Sequence, residues 1–275
     1  MHPFSQIDVF TSTLTEGNPL AVVHDADDLT DEQMAAFARW TNLSETTFLL
    51  QPTADADYRV RIFNTQRELP FAGHPTLGSA RAWLEAGGTP RSAGEIVQEC
   101  GAGLIRIRQD GSRLAFAAPP LVRDGAVDEA DLQQVIAGLG VDPARVVDAK
   151  WADNGPGWVA VLLDSAETVL GLEPDQALFG ENNRVGVVGP HPEGSETAFE
   201  IRAFTSSPGG EDPATGSLNA SIAQWLVGTG RAPSSYVAAQ GTVVRRRGRI
   251  HVDQVGDDIW IGGETVVGIS GTVGL

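Results

Sequence analysis

The stretch Glu68-Leu69-Pro70-Phe71-Ala72-Gly73-His74-Pro75 has a second copy, Glu211-Asp212-Pro213-Ala214-Thr215-Gly216-Ser217. Both copies read Glu-x-Pro-x-x-Gly, so that position 68 matches 211, 70 matches 213 and 73 matches 216. Each copy follows an Arg-x-Phe that ends a predicted strand, Arg61–Phe63 in the first case and Arg202–Phe204 in the second. A repeat separated by about half of the chain predicts two halves of similar fold.

The same coarse order of elements surrounds each copy, with short strands followed by one apolar helix. The two helices are apolar on nearly all sides and are therefore predicted to be buried. They run over Pro75–Ala86 and Leu218–Leu226. In the first half the predicted strands lie near residues 6–10, 20–23, 46–50, 58–63, 95–100, 104–108 and 113–116. A further, amphipathic helix starts at Thr30, where Gln33 completes a capping box.

These elements predict an α+β fold of two similarly folded halves, each a sheet curled around a buried helical core. A boundary falls at Ala118-Pro119-Pro120, directly after a predicted strand. The N-terminal half then covers residues 1–118, and the C-terminal half covers residues 119–265. The last segment, 266–275, is a candidate strand for completing the N-terminal half.

Composition narrows the class of partner. The 275 residues carry 19 basic and 36 acidic side chains, a net charge of −17, which argues against nucleic acid or an anionic membrane surface as a partner. No apolar run approaches the roughly 18 residues of a membrane span, and the first residues do not read as a signal peptide, so we expect a cytoplasmic enzyme.

The single cysteine, Cys100, excludes an intramolecular disulfide and a cysteine-based zinc site, and we interpret it as a buried small hydrophobe. The five histidines lack ligand spacing, so no metal is predicted.

The starts of the two buried helices are candidate binding positions. Pro75 suits the first helical position, which would place His74 at the N-cap. Histidine is a poor N-cap compared with Ser, Thr, Asn or Asp, so its presence there favours a functional role. The matched residue, Ser217, is a good N-cap, and a purely structural role for it stays open. If the two halves face each other, the free N–H groups and dipoles of both helix starts would bind a small carboxylate.

Three ionisable residues are candidates for proton transfer: Glu45, His74 and Asp212. A carboxyl group desolvated in a closed cleft has its pKa raised towards the range that general acid–base catalysis uses. No nucleotide-binding motif of the GxxxxGK[ST] or GxGxxG type is present, so no nucleotide cofactor is predicted. A Ser–His–Asp hydrolase built from Ser217, His74 and Asp212 would lack the last glycine of a GxSxG turn.

At these motifs the sequence closely resembles the phenazine-biosynthesis PhzF-like family. The matching stretches are Asp8–Phe10, Gly17–Val23, Asn42–Phe48, Glu68–Gly78 and Glu211–Ser217. The resemblance implies the diaminopimelate-epimerase-like fold, with two pseudo-symmetric halves, each a β-barrel-like sheet wrapped around a central buried helix, and an active site between them. It also implies cofactor-free isomerase chemistry in a homodimer. In the phenazine-pathway member, a dihydro-hydroxyanthranilate is isomerised by moving a proton from one ring carbon to another.

The resemblance also implies roles for individual residues. Glu45 would shuttle the proton, with His74 and Asp212 beside it. The substrate would be bound around its carboxylate by Asn18, Gly73, Gly216 and Ser217. The sequence departs from the family pattern at Asn64–Arg67, at Ser206–Gly210 and at Leu218-Asn219, which leaves the substrate open.

Two other classes of function remain as alternatives. An amino-acid racemase or epimerase of the same fold would use a cysteine thiol at each helix start, where this chain has His74 and Ser217. A non-catalytic protein that kept the fold would bind small carboxylates without turnover, and replacing Glu45 would not change its affinity.

Overall fold

The computed structural model of the chain describes residues 1–179, 184–205 and 210–275. The stretch Ser206–Gly209, which leads into the second copy of the repeat, lies outside the described residues. The chain forms two compact units. The N-terminal unit comprises Met1–Ala117 and Gly262–Leu275, and the C-terminal unit comprises Ala118–Ile261.

The N-terminal unit is built from short strands and two helices. The strands are β1 (His2–Val9), β2 (Asn18–Val23), β3 (Thr46–Leu50), β4 (Tyr58–Phe63), β5 (Glu68–Leu69), β6 (Glu95–Cys100), β7 (Gly103–Asp110) and β8 (Arg113–Ala117). The helices are α1 (Asp31–Thr41) and α2 (Gly73–Glu85). The Thr30 side chain accepts from the backbone of Gln33, whose own side chain accepts from the backbone of Thr30, so the capping box is confirmed.

The C-terminal unit has the same kinds of element in a similar order. Its strands are β9 (Arg123–Ala126), β10 (Val146–Asp153), β11 (Val159–Leu163), β12 (Val185–Pro190), β13 (Phe199–Phe204), β14 (Glu211–Asp212), β15 (Ser235–Gln240) and β16 (Gly248–Val255). Its helices are α3 (Glu129–Leu139), α4 (Ala166–Leu170) and α5 (Gly216–Gly228). The last strand, β17 (Asp258–Val273), belongs to the N-terminal unit from Gly262 onward.

Strand pairing closes a barrel in the N-terminal unit, all of whose residues are described. β1 pairs with β2 antiparallel, β2 with β3 parallel, β3 with β4 antiparallel, β4 with β6 parallel, and β6 with β7 and β7 with β8 antiparallel. β17 pairs with β8 and, antiparallel, with β1, which completes an eight-stranded ring. Alternation along β4 buries Tyr58, Val60 and Ile62 while Arg59 and Arg61 stay partly exposed, as expected for a strand with one core face.

Helix α2 packs against the strands of this barrel and is buried along most of its first two turns. Its approach depends on Gly78, since a Cβ at that position would lie 2.6 Å from a methyl carbon of Leu20 and 3.0 Å from one of Val9. The glycine therefore lets the helix lie close to β1 and β2. The buried central helix predicted from the apolar pattern is confirmed for this unit.

The C-terminal unit repeats the order of pairing. β9 pairs with β10 and β10 with β11 antiparallel, β11 with β12 parallel, β12 with β13 antiparallel, β13 with β15 parallel, and β15 with β16 antiparallel. This is the order that runs from β17 through β1 to β7 in the N-terminal unit. Helix α5 matches α2 in length, at 13 residues each, and is likewise buried over most of its length. The fold is therefore α+β, and within the described residues no helix is long and apolar enough to cross a membrane.

Candidate active site

The repeated glutamates hold an arginine of the preceding strand. Arg61 donates from Nε and Nη2 to the two carboxylate oxygens of Glu68 at 2.7 and 2.6 Å. Arg202 makes the same paired contact with Glu211 at 3.0 and 2.8 Å. A forked arginine–carboxylate pair fixes geometry as well as charge. The Arg-x-Phe and Glu-x-Pro parts of the repeat are therefore one structural clamp, which sets the turn before each buried helix.

The repeated prolines are held by glycines that follow the next long strand. A Cβ at Gly101 would lie 2.9 Å from the Cα of Pro70, whose carbonyl accepts from the backbone N–H of Ala102 at 3.0 Å. A Cβ at Gly241 would lie 2.5 Å from the carbonyl oxygen of Pro213. Only glycine allows backbone contact this close, so both helix starts are fixed by the strand that follows the helix.

Two buried glutamines also hold the helix starts in place, and sequence reasoning missed both. The Gln98 side chain donates to the Thr76 hydroxyl at 3.0 Å, and Asn219 donates to the Gln240 side chain at 2.8 Å. Thr76 and Asn219 are matched helix positions, and the glutamines follow them by 22 and 21 residues. Extending the repeat comparison beyond the helices, with a gap of one residue, would have aligned Gln98 with Gln240. Gln240 also accepts from the backbone N–H of Thr215 at 3.0 Å.

The predicted N-caps are wrong. Helix α2 begins at Gly73 with Ala72 as its N-cap, and α5 begins at Gly216 with Thr215 as its N-cap. His74 and Ser217 are therefore the second helical residues, and neither helix has a side-chain hydrogen bond at its cap. Pro75 fits the third position equally well, because N–H groups of the first turn have no acceptor within the helix. The first-turn N–H groups include those of Gly73, His74, Gly216 and Ser217.

Glu45, His74 and Asn18 come together in the N-terminal unit. His74 Nδ1 lies 3.4 Å from Glu45 Oε2 and 3.4 Å from Asn18 Nδ2. Asn18 begins β2 and Glu45 immediately precedes β3, and these strands are parallel neighbours, so their amino-terminal ends lie side by side. His74 and Asn18 are buried, whereas the Glu45 side chain is 17% exposed and can be reached by a small molecule.

Burial controls the charge of His74. It lowers the pKa of His74 from 6.5 to about 3, because the protonated ring would lose its hydration. The imidazole is therefore neutral at physiological pH. Its Nε2 atom is buried and has no hydrogen-bond partner among the described residues. An amide nitrogen such as Asn18 Nδ2 can only donate, so Nδ1 accepts and the single ring proton lies on Nε2.

Asp212, Gly216 and Ser217 lie around the start of α5 in the C-terminal unit. Asp212 is buried, and one of its carboxylate oxygens accepts from the Thr215 hydroxyl at 2.5 Å. The Ser217 hydroxyl oxygen accepts from the indole N–H of Trp158 at 3.0 Å, and the Ser217 carbonyl accepts from the Asn154 side chain at 3.0 Å. Across the described ranges, no three His, Cys, Asp or Glu side chains are placed to hold a metal ion.

A family model described as "Phenazine biosynthesis-like protein" matches residues 7–271 of this sequence. The chain belongs to that family. Trans-2,3-dihydro-3-hydroxyanthranilate isomerase from Pseudomonas fluorescens is 34% identical over 235 residues, which cover 84% of this chain and 82% of that protein. Antisense-enhancing sequence 1 from Schizosaccharomyces pombe is 36% identical over 292 aligned positions, covering 98% of each chain.

Solved structures agree on the fold of the family. The crystal structure of a PhzF-family phenazine biosynthesis protein from Enterococcus faecalis is similar, with a TM-score of 0.81 and 23% identity. The match covers 100% of this chain and 99% of that one. The family resemblance and the diaminopimelate-epimerase-like fold that it implies are confirmed. This chain is an isomerase of the phenazine biosynthesis-like family.

Sequence reasoning did not assign a role to Trp158 or Asn154. Both lie in the connection between β10 and β11, which corresponds to the connection between β1 and β2 that ends at Asn18. The signal was the loose echo of Gly17-Asn18-Pro19 in Asn154-Gly155-Pro156. That echo could not predict the hydrogen bond from Trp158 to Ser217, because the donor is an indole N–H in the C-terminal unit and an amide N–H in the N-terminal unit.

Proposed function

We propose that the protein is a cofactor-independent isomerase that moves a proton on a small carboxylic acid, with Glu45 as the group that carries the proton. The observation that supports this most is the position of Glu45 Oε2, 3.4 Å from the Nδ1 atom of a buried, neutral His74. In such a reaction one C–H bond breaks, another forms and the double bond shifts between them. Atoms and electrons balance without an oxidant or a reductant.

The neutral histidine suits a carboxyl group that must alternate between acid and base. His74 Nδ1 has a single lone pair, and both Asn18 Nδ2 and Glu45 Oε2 lie 3.4 Å from it, so a protonated Glu45 can replace Asn18 as its donor. A protonated Glu45 can donate to it and then pass its proton to the substrate. An ionised Glu45 faces no positive charge on His74, so nothing in that ring prevents it from taking the proton back. Well-placed general acid–base groups contribute about 10²–10⁴-fold to rate.

The carboxylate of the substrate is proposed to bind to first-turn N–H groups, in a chain whose charge of −17 otherwise repels anions. Asn18, Gly73, Gly216 and Ser217 are the proposed binding residues. Asp212 is proposed as a second acid–base group, and its action on the same substrate as Glu45 stays a prediction from the repeat. The substrate named for the Pseudomonas fluorescens relative, trans-2,3-dihydro-3-hydroxyanthranilate, is the first candidate.

Deuterium exchange tests the role of Glu45. The wild type, Glu45→Gln and the control Glu32→Gln are incubated with the candidate substrate in D₂O without added cofactor, and deuterium at carbon is followed by NMR. Glu32 is an exposed residue in the first turn of α1, so its variant should match the wild type. Glu45→Gln should lose at least about 100-fold in exchange rate while keeping its thermal unfolding midpoint. Equal exchange in all three proteins would remove Glu45 from the mechanism.

The finer parts of the proposal have their own measurements. Activity of the purified chain after exhaustive dialysis against a chelator tests cofactor independence, since an isomerase without a cofactor keeps its full rate. Light scattering tests the homodimer that the family resemblance implies. A mass equal to one chain across the assay concentrations would contradict it.

A further inference from the structure

The two helix starts share one feature that the repeat motif does not contain. In each unit, a side-chain N–H at or near the connection between two matched strands, β1 and β2 or β10 and β11, donates to the second helical residue. In the N-terminal unit Asn18 Nδ2 faces His74 Nδ1 at 3.4 Å, and in the C-terminal unit Trp158 Nε1 donates to Ser217 Oγ at 3.0 Å. On His74 this contact occupies the lone pair of Nδ1. On Ser217 it occupies a lone pair of Oγ and leaves the hydroxyl proton free to be donated elsewhere.

The consequence for Ser217 follows from the hydrogen-bonding capacity of its hydroxyl. A hydroxyl has one proton to donate and two lone pairs, and an indole N–H can only donate. Trp158 therefore occupies a lone pair of Ser217 Oγ and directs the hydroxyl proton elsewhere. Among the described residues that proton has no acceptor, because the side chains that contact Ser217, those of Trp158 and Asn154, both donate to it. The hydroxyl is left to donate alongside the first-turn N–H groups of α5.

Trp158 is well suited to hold this orientation. Its side chain is fully buried, so the ring cannot swing away from Ser217, and the main chain of Ser217 is fixed by the amide of Asn154. We propose that Trp158 is a positioning residue that makes Ser217 a hydrogen-bond donor at the start of α5, which favours a carboxylate because a bond to an ionised acceptor is about twice as strong as one to a neutral group. This inference rests on the proposed role of Ser217 in substrate binding.

The chain offers a matched control for removing the indole N–H. Trp151 is also buried in the C-terminal unit, and its Nε1 has no hydrogen-bond partner among the described residues. Trp158→Phe and Trp151→Phe therefore make the same chemical change, but only the first removes a hydrogen bond. A general effect of replacing tryptophan by phenylalanine would appear in both variants.

The test compares binding of anthranilate with binding of the neutral anthranilamide to the full chain by titration calorimetry. Trp158→Phe should weaken anthranilate binding about three- to tenfold, the size expected for one hydrogen bond, and anthranilamide binding about two- to threefold at most, because its carbonyl oxygen is a neutral acceptor. Ser217→Ala should weaken anthranilate at least as much. Adding Trp158→Phe to Ser217→Ala should then change nothing further, and Trp151→Phe should bind like the wild type.

Several results would overturn the inference. Equal weakening of anthranilate and anthranilamide by Trp158→Phe would show a loss of packing instead of a lost orientation, and so would additive losses in the double variant. No binding of anthranilate to the wild type would also reject it. If Trp158→Phe does not unfold cooperatively, Asn154→Ala replaces it, with an expected two- to threefold loss for anthranilate only; no loss there is a rejection.

The deuterium-exchange experiment separates this inference from the proposed function. Binding that follows the expected pattern while Glu45→Gln exchanges as fast as the wild type would leave the role of Trp158 intact and reject the catalytic proposal. If Glu45→Gln loses exchange but Trp158→Phe binds anthranilate like the wild type, the catalytic proposal stands and the role of Trp158 is rejected.

Discussion

Replacing Glu211 by glutamine should destabilise the protein far more than the same replacement at Glu68, although the two residues occupy matched positions of the repeat. Both form a forked pair with an arginine, so the chemistry removed is the same. The surroundings differ. The side chains of Arg202 and Glu211 are 4% and 8% exposed, whereas those of Arg61 and Glu68 are 17% and 43% exposed.

The size of the difference follows from this burial. Removing one partner of a buried pair typically costs about 3–5 kcal/mol, because the other charge is left without compensation. Among the described residues, Arg202 would keep the carbonyl oxygens of Val169 and Leu172 and the amide oxygen of the new glutamine as acceptors, and none of them carries a charge. At Arg61, water can reach the guanidinium and Asp31 still accepts from it at 2.6 Å. An exposed pair contributes about 1 kcal/mol or less, so the gap between the two variants should be at least about 2 kcal/mol.

Urea unfolding at neutral pH measures both effects. Circular dichroism and tryptophan fluorescence should be followed together, since a chain with two compact units can depart from two-state behaviour. In about 0.5 M NaCl the loss caused by Glu68→Gln should shrink by screening, while the loss caused by Glu211→Gln should persist. The double replacement Arg202→Met with Glu211→Leu should recover most of the stability, because it leaves no buried charge.

Equal losses of unfolding free energy at the two positions would refute the reasoning. They would mean that the forked geometry, and not the burial of the charges, sets the stability contribution. A loss at Glu211 that disappears in high salt would refute it as well, because screening acts on charges that solvent can reach.

Two further predictions concern acid stability and close backbone contact. Because the unfolded chain binds a proton to His74 near pH 6.5 and the folded site only near pH 3, stability should be fully present above 6.5 and fall as the pH drops towards 3. At about 1.4 kcal/mol per pH unit, the full loss of unfolding free energy approaches about 5 kcal/mol. Urea titrations at several pH values measure this dependence, and His74→Gln should flatten it. An unchanged slope in His74→Gln would contradict the assignment to His74. Gly17→Ala should lower the thermal midpoint by several degrees, since its Cβ would lie 2.2 Å from the Val9 carbonyl oxygen. Gly228→Ala, where a Cβ meets nothing within 4 Å, should not; equal midpoints would reject the steric argument.

Local patterns were sufficient to predict most of the elements of the N-terminal half. The strands expected at 46–50, 58–63 and 95–100 have the observed bounds, because short alternating or continuous apolar runs predict strands from the local sequence alone. The local pattern predicts the first strand from residue 6, whereas the strand begins at His2. Its early residues pair with β17, from the opposite end of the chain, and no local pattern carries that information.

The helix starts could not be predicted, and the reason is physical. Sequence rules for N-caps assume that a nearby side chain satisfies the first turn. Here the residues before α2 and α5 make no such bond, and the starts are fixed by Gln98 and Gln240, which come from strands beyond the helix. The pairing of Glu45 with His74 was also beyond spacing rules, since it depends on which strand lies parallel to β2.

Comparison of the two units distinguishes the residues that hold each helix start, which we call the frame, from the residues that differ in chemistry. The frame consists of residues that are identical at matched positions: the clamp arginines and glutamates, the prolines and the buried glutamines. The differences fall on the second helical residue, His74 or Ser217, and on its donor, Asn18 or Trp158. A frame that holds the helix start without using its side chains leaves that position open to change. One copy can then carry a buried imidazole beside a carboxyl group while the other carries a hydroxyl, because neither residue is needed to cap its own helix.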